Sequence, residues 1–305
     1  MTFWELASLQ LTLFAMMLIG ALLRKKGIID DNGKRCLSDL CINVVIPCNI
    51  FRSCLIEFNA GILQQCGMLL LCAVLLQVLC LVLNRFLFNR YAPQQRKVLQ
   101  YCTIVPMSGF LGNPIAEGIY SSVGVLYTSI FLIPMRVVMW SVGTTYFVAG
   151  EGIDKKKVVK NVLTHPCLVA IYLGLICMIT QFTPPRIITE TVRYIGNCNS
   201  ALTMFIVGTI LADVPLHSIF NKDTALFSIL RLLLLPAAAL GLAALLGLDP
   251  TARGVSVLMT GMPAGATAAI FAARYGSDAP FATRCVVFTT LVSMVTLPLW
   301  AFIVG

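Results

Sequence analysis

The sequence predicts an all-α membrane protein: ten transmembrane helices arranged as two inverted five-helix repeats. Three observations carry that prediction. Of 305 residues, 58% are hydrophobic and only 11% charged, with a mean hydropathy of +0.89. A soluble domain of this size cannot enclose so much apolar surface. Ten apolar windows are long enough to cross a bilayer, and the basic residues gather between them on alternate sides.

In order, the windows fall near 3–23, 36–56, 63–88, 98–119, 124–149, 163–182, 188–213, 224–247, 252–273 and 280–303. A crossing needs about 20 apolar residues. The first window lacks a basic leader, and Arg24-Lys25-Lys26 follows it, so it reads as a retained helix rather than a signal peptide. The seventh opens amphipathically, with Arg186, Glu190 and Arg193. Continuous rather than alternating apolar runs argue against a membrane barrel.

Charge sets the orientation. Arg24, Lys25, Lys26, Lys34 and Arg35 follow window 1; Arg85, Arg90, Arg96 and Lys97 follow window 3; Lys155, Lys156, Lys157 and Lys160 follow window 5. Lys222 follows window 7 and Arg274 follows window 9, while the opposite side holds Arg52, Arg186, Arg193 and Arg253. This bias places the odd-to-even loops in the cytoplasm and both termini outside the cell membrane. Five spans per half force the halves, 1–150 and 151–305, to insert in opposite senses. The stretch Gly109–Gly124 (GFLGNPIAEGIYSSVG) precedes Gly261–Gly276 (GMPAGATAAIFAARYG) by 152 positions, and both are rich in small residues and proline.

Those two stretches carry the functional signal. By capping rules Gly112 closes one helical piece, Asn113 caps the next and Pro114 takes its first position. A backbone freed inside lipid must line protein or water, and a helix N-terminus placed there attracts an anion. In the ninth window, Thr260-Gly-Met-Pro-Ala-Gly-Ala-Thr267 loses a hydrogen bond at Pro263, while Gly261 and Ala264 allow close backbone approach. Two interrupted helices at corresponding places point to the central site of a secondary transporter; a simple proline kink is the bland alternative.

These motifs, with INVVIPCNIF (Ile42–Phe51) and LVSMVTLPLW (Leu291–Trp300), resemble the auxin efflux carrier family over essentially the whole chain. That family includes plant PIN carriers and bacterial permeases for malate or malonate. The resemblance implies ten helices in inverted repeats, the fourth and ninth crossing where they unwind at prolines, as in bile-acid sodium symporters. It implies a scaffold of helices 1, 2, 6 and 7 and a moving transport domain of helices 3–5 and 8–10. The family's crossover residues fall on Asn113, Pro114 and Pro263, and those of its second helix on Asn43 and Pro47. Where many relatives have a proline in the seventh helix, this chain has Asn197-Cys-Asn-Ser-Ala-Leu202. The long central loop of many plant carriers is also absent here.

Polar residues within the spans complete the candidate site. Arg136 either holds a substrate carboxylate or pairs with Glu117 or Asp213. Glu117 lies one turn after Asn113 and is a candidate for a coupling proton, with a structural ion pair as the alternative. Asp39 and Asp213 are further coupling candidates; Asp39, four residues from Asn43, lies near the cytoplasmic end, where an interfacial role is the alternative. Asn197 and Asn199 either contact substrate or bond between helices. The 12 cysteines are scattered as packing residues, and with only His165 and His217 there is no metal-ligand cluster. No catalytic or nucleotide-binding motif competes. The expected activity is therefore gradient-driven transport of a small organic anion, a mono- or dicarboxylate, with a membrane sensor of such an anion as the alternative. Expected partners are that anion, membrane lipid and a second copy of the chain in a homodimer; no nucleic acid and no cofactor is expected.

Overall fold

The computed structural model describes residues 3–55, 60–147, 164, 166–212 and 221–304. Among these, the regular elements are all helical, and the one extended pairing is an isolated antiparallel bridge between Pro106 and Ala264. Helix α1 (Phe3–Lys25) ends on Arg24 and Lys25, whose charge suits the negative end of the helix dipole. Helix α2 (Asp31–Leu40) starts at Asp30, whose carboxylate accepts the Gly33 N–H. It runs through a π-turn, Cys41–Val45, into α3 (Ile46–Ser53). Next come α4 (Ala60–Phe86) and α5 (Pro93–Ile104). A π-turn, Ser108–Gly112, leads into α6 (Asn113–Val138), and another, Met139–Gly143, into α7 (Thr144–Phe147). Helix α6 is two helical pieces joined at Ser121, which sits at φ 56°, ψ −146°.

The remaining helices are α8 (Pro166–Thr180), α9 (Arg186–Asn197) and α10 (Asn199–Ala212), then α11 (Lys222–Ile229), opened by a capping box of Asn221 and Thr224. A π-turn, Leu230–Leu234, joins it to α12 (Leu235–Leu245). Helix α13 (Pro250–Thr260) is capped by Asp249, and α14 (Thr267–Arg274) and α15 (Ala279–Val304) close the chain. Six stretches among the described residues are long and apolar enough to cross a membrane: Asp31–Ser53, Gly61–Phe86, Ser108–Val138, Arg186–Ala212, Lys222–Leu245 and Ala279–Val304. Leu22, Val78, Ile176, Leu245, Val295 and Phe302 stand exposed on the outside. An exterior of that kind suits lipid, not water. The all-helical, multi-span expectation holds.

Three of the prolines within helical runs share a setting that the sequence does not display, whereas Pro134 and Pro298 lie inside helices without it. Pro47, Pro114 and Pro236 each sit two residues beyond a π-turn. A proline cannot donate to the carbonyl four residues back, and its ring crowds that carbonyl. A locally widened turn relieves the crowding without ending the helix. At Pro236 the carbonyl left over, Leu232 O, accepts the Trp300 indole N–H at 2.8 Å.

Packing divides the helices into two groups. Helix α1 lies along α10, and α3 packs on α8 and α9. Gly20 and Gly208 make the first contact close: a Cβ on Gly20 would stand 2.3 Å from the Phe205 carbonyl oxygen, and one on Gly208 2.0 Å from that of Met17. In the second group α6 packs on α4 and α13, α12 on α13, and α15 on α11, α13 and α14. Asn84 of α4 and Gln100 of α5 each donate to the other's backbone carbonyl, at 2.8 and 3.0 Å. The groups meet chiefly where α3, α10 and α1 touch α6, the π-turn before it, and α15.

Candidate functional site

Two helices are interrupted, and their gaps cross. Helix α5 stops at Ile104; Val105 is extended (φ −119°, ψ 95°), as a residue before proline prefers. The chain resumes helical geometry at Ser108. Helix α13 stops at Thr260 and α14 starts at Thr267. In the gaps the Met107 N–H donates to Pro263 O at 2.8 Å, and the Gly265 N–H donates to Val105 O at 2.9 Å. The Ala264 N–H is taken by Thr289 Oγ1 at 3.0 Å. A Cβ on Gly265 would stand 2.8 Å from Val105 O, so only glycine lets the two gaps approach this closely.

The second break lies where Pro263 places it. The first does not lie at Gly112-Asn113-Pro114. All three are buried inside continuous helix: Gly112 (φ −71°, ψ −43°) and Asn113 (φ −57°, ψ −50°) are right-handed helical, and no side chain caps there. The break is at Pro106, which the capping argument passed over. Pro114 is absorbed by its π-turn, whereas the segment around Pro106 has partners in the second gap that compensate an open backbone. Gly112 instead fits against Met259, whose Sδ would lie 2.6 Å from an added Cβ. Gly261 closes α13 by donating to Val257 O at 2.8 Å.

The freed carbonyls are accounted for by side chains. Ser108 Oγ donates to Met259 O at 2.9 Å, and Gln77 Nε2 to Ile104 O at 3.3 Å. Arg231, only 2% exposed, donates from Nε to Met262 O at 3.0 Å and from Nη1 to Thr103 O at 2.9 Å. The sequence signal for Arg231 is a lone cation in the apolar run LRLLLL after Ile229.

A polar cluster lies where α3 meets α6 and α9. Arg52, in the last turn of α3, forms an ion pair with Glu117 of α6 and donates to Asn197 Oδ1 of α9 at 2.5 Å. Asn49 Nδ2 donates to the other Glu117 oxygen at 3.2 Å. Gly196 allows α9 this close, since a Cβ there would stand 3.3 Å from the Asn49 Cα. Asn113 lies one turn before Glu117, and Asn199 lies just past the helix joint at Cys198. Both are buried (1% and 0% exposed), and neither amide oxygen nor nitrogen of either has a hydrogen-bond partner. Asn49 Oδ1 is likewise unpartnered. An unmet buried polar atom costs about 1–3 kcal/mol, so five such atoms on three asparagines require a reason.

The other sequence candidates lie apart from this cluster. Asn43 is exposed and folds back on Asp39 O at 2.8 Å; Asp39 is exposed at the end of α2. Arg136 is buried near the end of α6 with Nη1 unpartnered, and no carboxylate pairs with it among the described residues. Glu117 takes Arg52 as its partner instead. Asp213 and Lys155–Lys157 lie outside the described residues. Arg52, which sequence reasoning left among the loop charges, is thus a member of the cluster.

An apolar-surfaced helical bundle with crossed, interrupted helices and a polar cluster between its helices defines a multi-pass membrane protein. The family model described as "Membrane transport protein" matches residues 8–301, and the chain belongs to that family, which is the auxin efflux carrier family. It is 27% identical to an "Uncharacterized transporter" of Methanothermobacter thermautotrophicus, with 96% of each chain covered. It is 23% identical to "Uncharacterized transporter YfdV" of Escherichia coli K12, again with 96% of each covered. Over 140 residues it is 24% identical to "Probable auxin efflux carrier component 1c" of Oryza sativa subsp. japonica, covering 46% of this chain and 24% of the rice protein.

Proposed function

We propose that the protein is a secondary active transporter of a small organic anion, a mono- or dicarboxylate, working by elevator-type alternating access. The observation that carries this reading is the pairing of a helix crossover with a cluster of Arg52, Glu117, Asn49 and Asn197, flanked on the same helices by the unpartnered amides of Asn113 and Asn199. Ten spans in two inverted halves, with both termini outside the cell membrane, give the arrangement. Helices α1–α3 and α8–α10 form the scaffold, and α4–α7 with α11–α15 form the moving body. The two packing groups support that division.

On this reading Arg52 and Asn197 sit on the scaffold, and Asn113 and Glu117 on the moving body. Glu117 is an internal stand-in for the substrate: a carboxylate resting on the guanidinium that a carboxylate cargo seeks. Protonating Glu117 releases Arg52 to the cargo, so a proton and an anion enter the site together. The amides of Asn49, Asn113 and Asn199 supply donors to the anion's second oxygen or second carboxylate.

Purified protein in liposomes, given labelled mono- and dicarboxylates under imposed pH, sodium or voltage gradients, tests this. Accumulation of an unmodified carboxylate driven by a pH gradient is the expected result. Saturable binding without flux would leave a membrane sensor, and flux only of neutral or cationic solutes would overturn the proposal.

A further inference from the structure

Arg231 sits at an unusual electrostatic position. Helices α5 (12 residues) and α13 (11 residues) both end at the crossover, and the carbonyls it bonds, Thr103 O and Met262 O, lie at or just past those ends. Each helix C-terminus carries roughly half a negative charge. Two such ends facing one point repel each other unless a cation lies between them. Among the described residues no carboxylate pairs with Arg231, so its charge is balanced by backbone dipoles. Arg231 Nη2 and Gln77 Oε1 both lack a partner, and both residues line a cavity of about 20 Å³ with Thr103, Pro106 and Thr260. That space admits a single water, which would satisfy one donor and one acceptor.

Carbonyls of interrupted membrane helices, with helix C-termini aimed at one spot, are the chemistry by which transporters bind a monovalent cation. Here the guanidinium already occupies that spot. We propose that Arg231 is a tethered cation holding the place a bound monovalent cation would otherwise take between α5 and α13. The crossover then assembles without sodium, and removing the guanidinium side chain creates a site for a soluble cation of the same shape. Arg231 is a positioning residue: it fixes the two half-helices and does not touch the cargo. This rests on the crossover geometry and not on transport itself, so absent flux would count against the transport reading alone.

The test uses the full chain purified in detergent, as wild type and as Arg231→Ala, with thermal midpoints read at constant ionic strength. The wild-type midpoint is expected to be the same in sodium and in choline. Arg231→Ala is expected to melt lower and to recover, saturably, with millimolar guanidinium but not with urea, its neutral isostere. Sodium-dependent stabilisation of the wild type would overturn the proposal. So would an Arg231→Ala midpoint equal to wild type, no response to guanidinium, or recovery with urea as good as with guanidinium, which would mark a packing role. If Arg231→Ala yields no folded protein, Arg231→Lys is compared with Arg231→Met: lysine is expected to melt higher, and parity between them would refute the tethered cation.

Discussion

Glu117→Gln removes the charge that occupies Arg52 while keeping the shape of the side chain. In the wild type Arg52 is shared between Glu117 and Asn197, and Glu117 also accepts from Asn49; Arg52 and Glu117 are each 26% exposed. At about 4 Å and an effective dielectric near 20, the attraction of such a pair is about 4 kcal/mol. Desolvation and side-chain ordering leave a net of about 1–3 kcal/mol. A carboxylate cargo must overcome that sum to reach Arg52, so removing the competitor raises its affinity by about 5- to 150-fold. The glutamine also cannot exchange a proton, so affinity loses its pH dependence and a pH gradient no longer drives accumulation. The assay is carboxylate binding to purified protein from pH 5 to 8, beside gradient-driven uptake in liposomes. A variant that binds more weakly than wild type at pH 8, or that keeps the wild-type pH dependence, would refute the competition between Glu117 and cargo.

Other substitutions test separate parts of the structure. Arg52→Gln and Glu117→Gln should each lower the thermal midpoint, whereas the double variant should fall no further than the worse single one; additive losses would mean the pair does not interact. Gly265→Val forces a Cβ to within 2.8 Å of Val105 O and should cost about 1–3 kcal/mol, seen as a lower midpoint and reduced folded yield. Arg136→Gln removes a buried cation that has no carboxylate partner among the described residues, so folded yield should hold or rise. A drop in yield there would reveal an acid partner, with Asp213 the first to examine by a second substitution.

Much of the fold was legible in the sequence because lipid imposes a simple rule: a spanning backbone must satisfy itself, so apolar runs of sufficient length become helices. The break at Pro263 was legible too, since the proline removes a helical hydrogen bond and glycines flank it. The break at Pro106 was not. Asn113-Pro114 with its flanking glycines satisfies every local rule for a restart, yet the chain passes it through a π-turn. Whether a proline bends a helix or breaks it depends on what receives the carbonyls it frees. Near Pro106 those partners are Arg231 and Gly265, more than a hundred residues away in sequence. Likewise Arg52 reads as a loop charge until α3 is packed against α6. Asn113, Glu117, Asn197 and Asn199 were picked out as polar residues in apolar spans; the packing of α3, α6, α9 and α10 puts Glu117 on Asn197's arginine and leaves Asn113 and Asn199 unpartnered.

The most direct test of the central claim is carboxylate counterflow in liposomes by Asn113→Ala. Asn113 is buried but makes no side-chain hydrogen bond within the protein, so truncating it breaks no internal hydrogen bond. The account predicts wild-type expression and thermal midpoint, with counterflow reduced by about tenfold or more, the loss of one charge-assisted hydrogen bond to the cargo. Undiminished counterflow by a normally folded Asn113→Ala protein would contradict it, and would place the cargo somewhere other than between α3, α6 and α10.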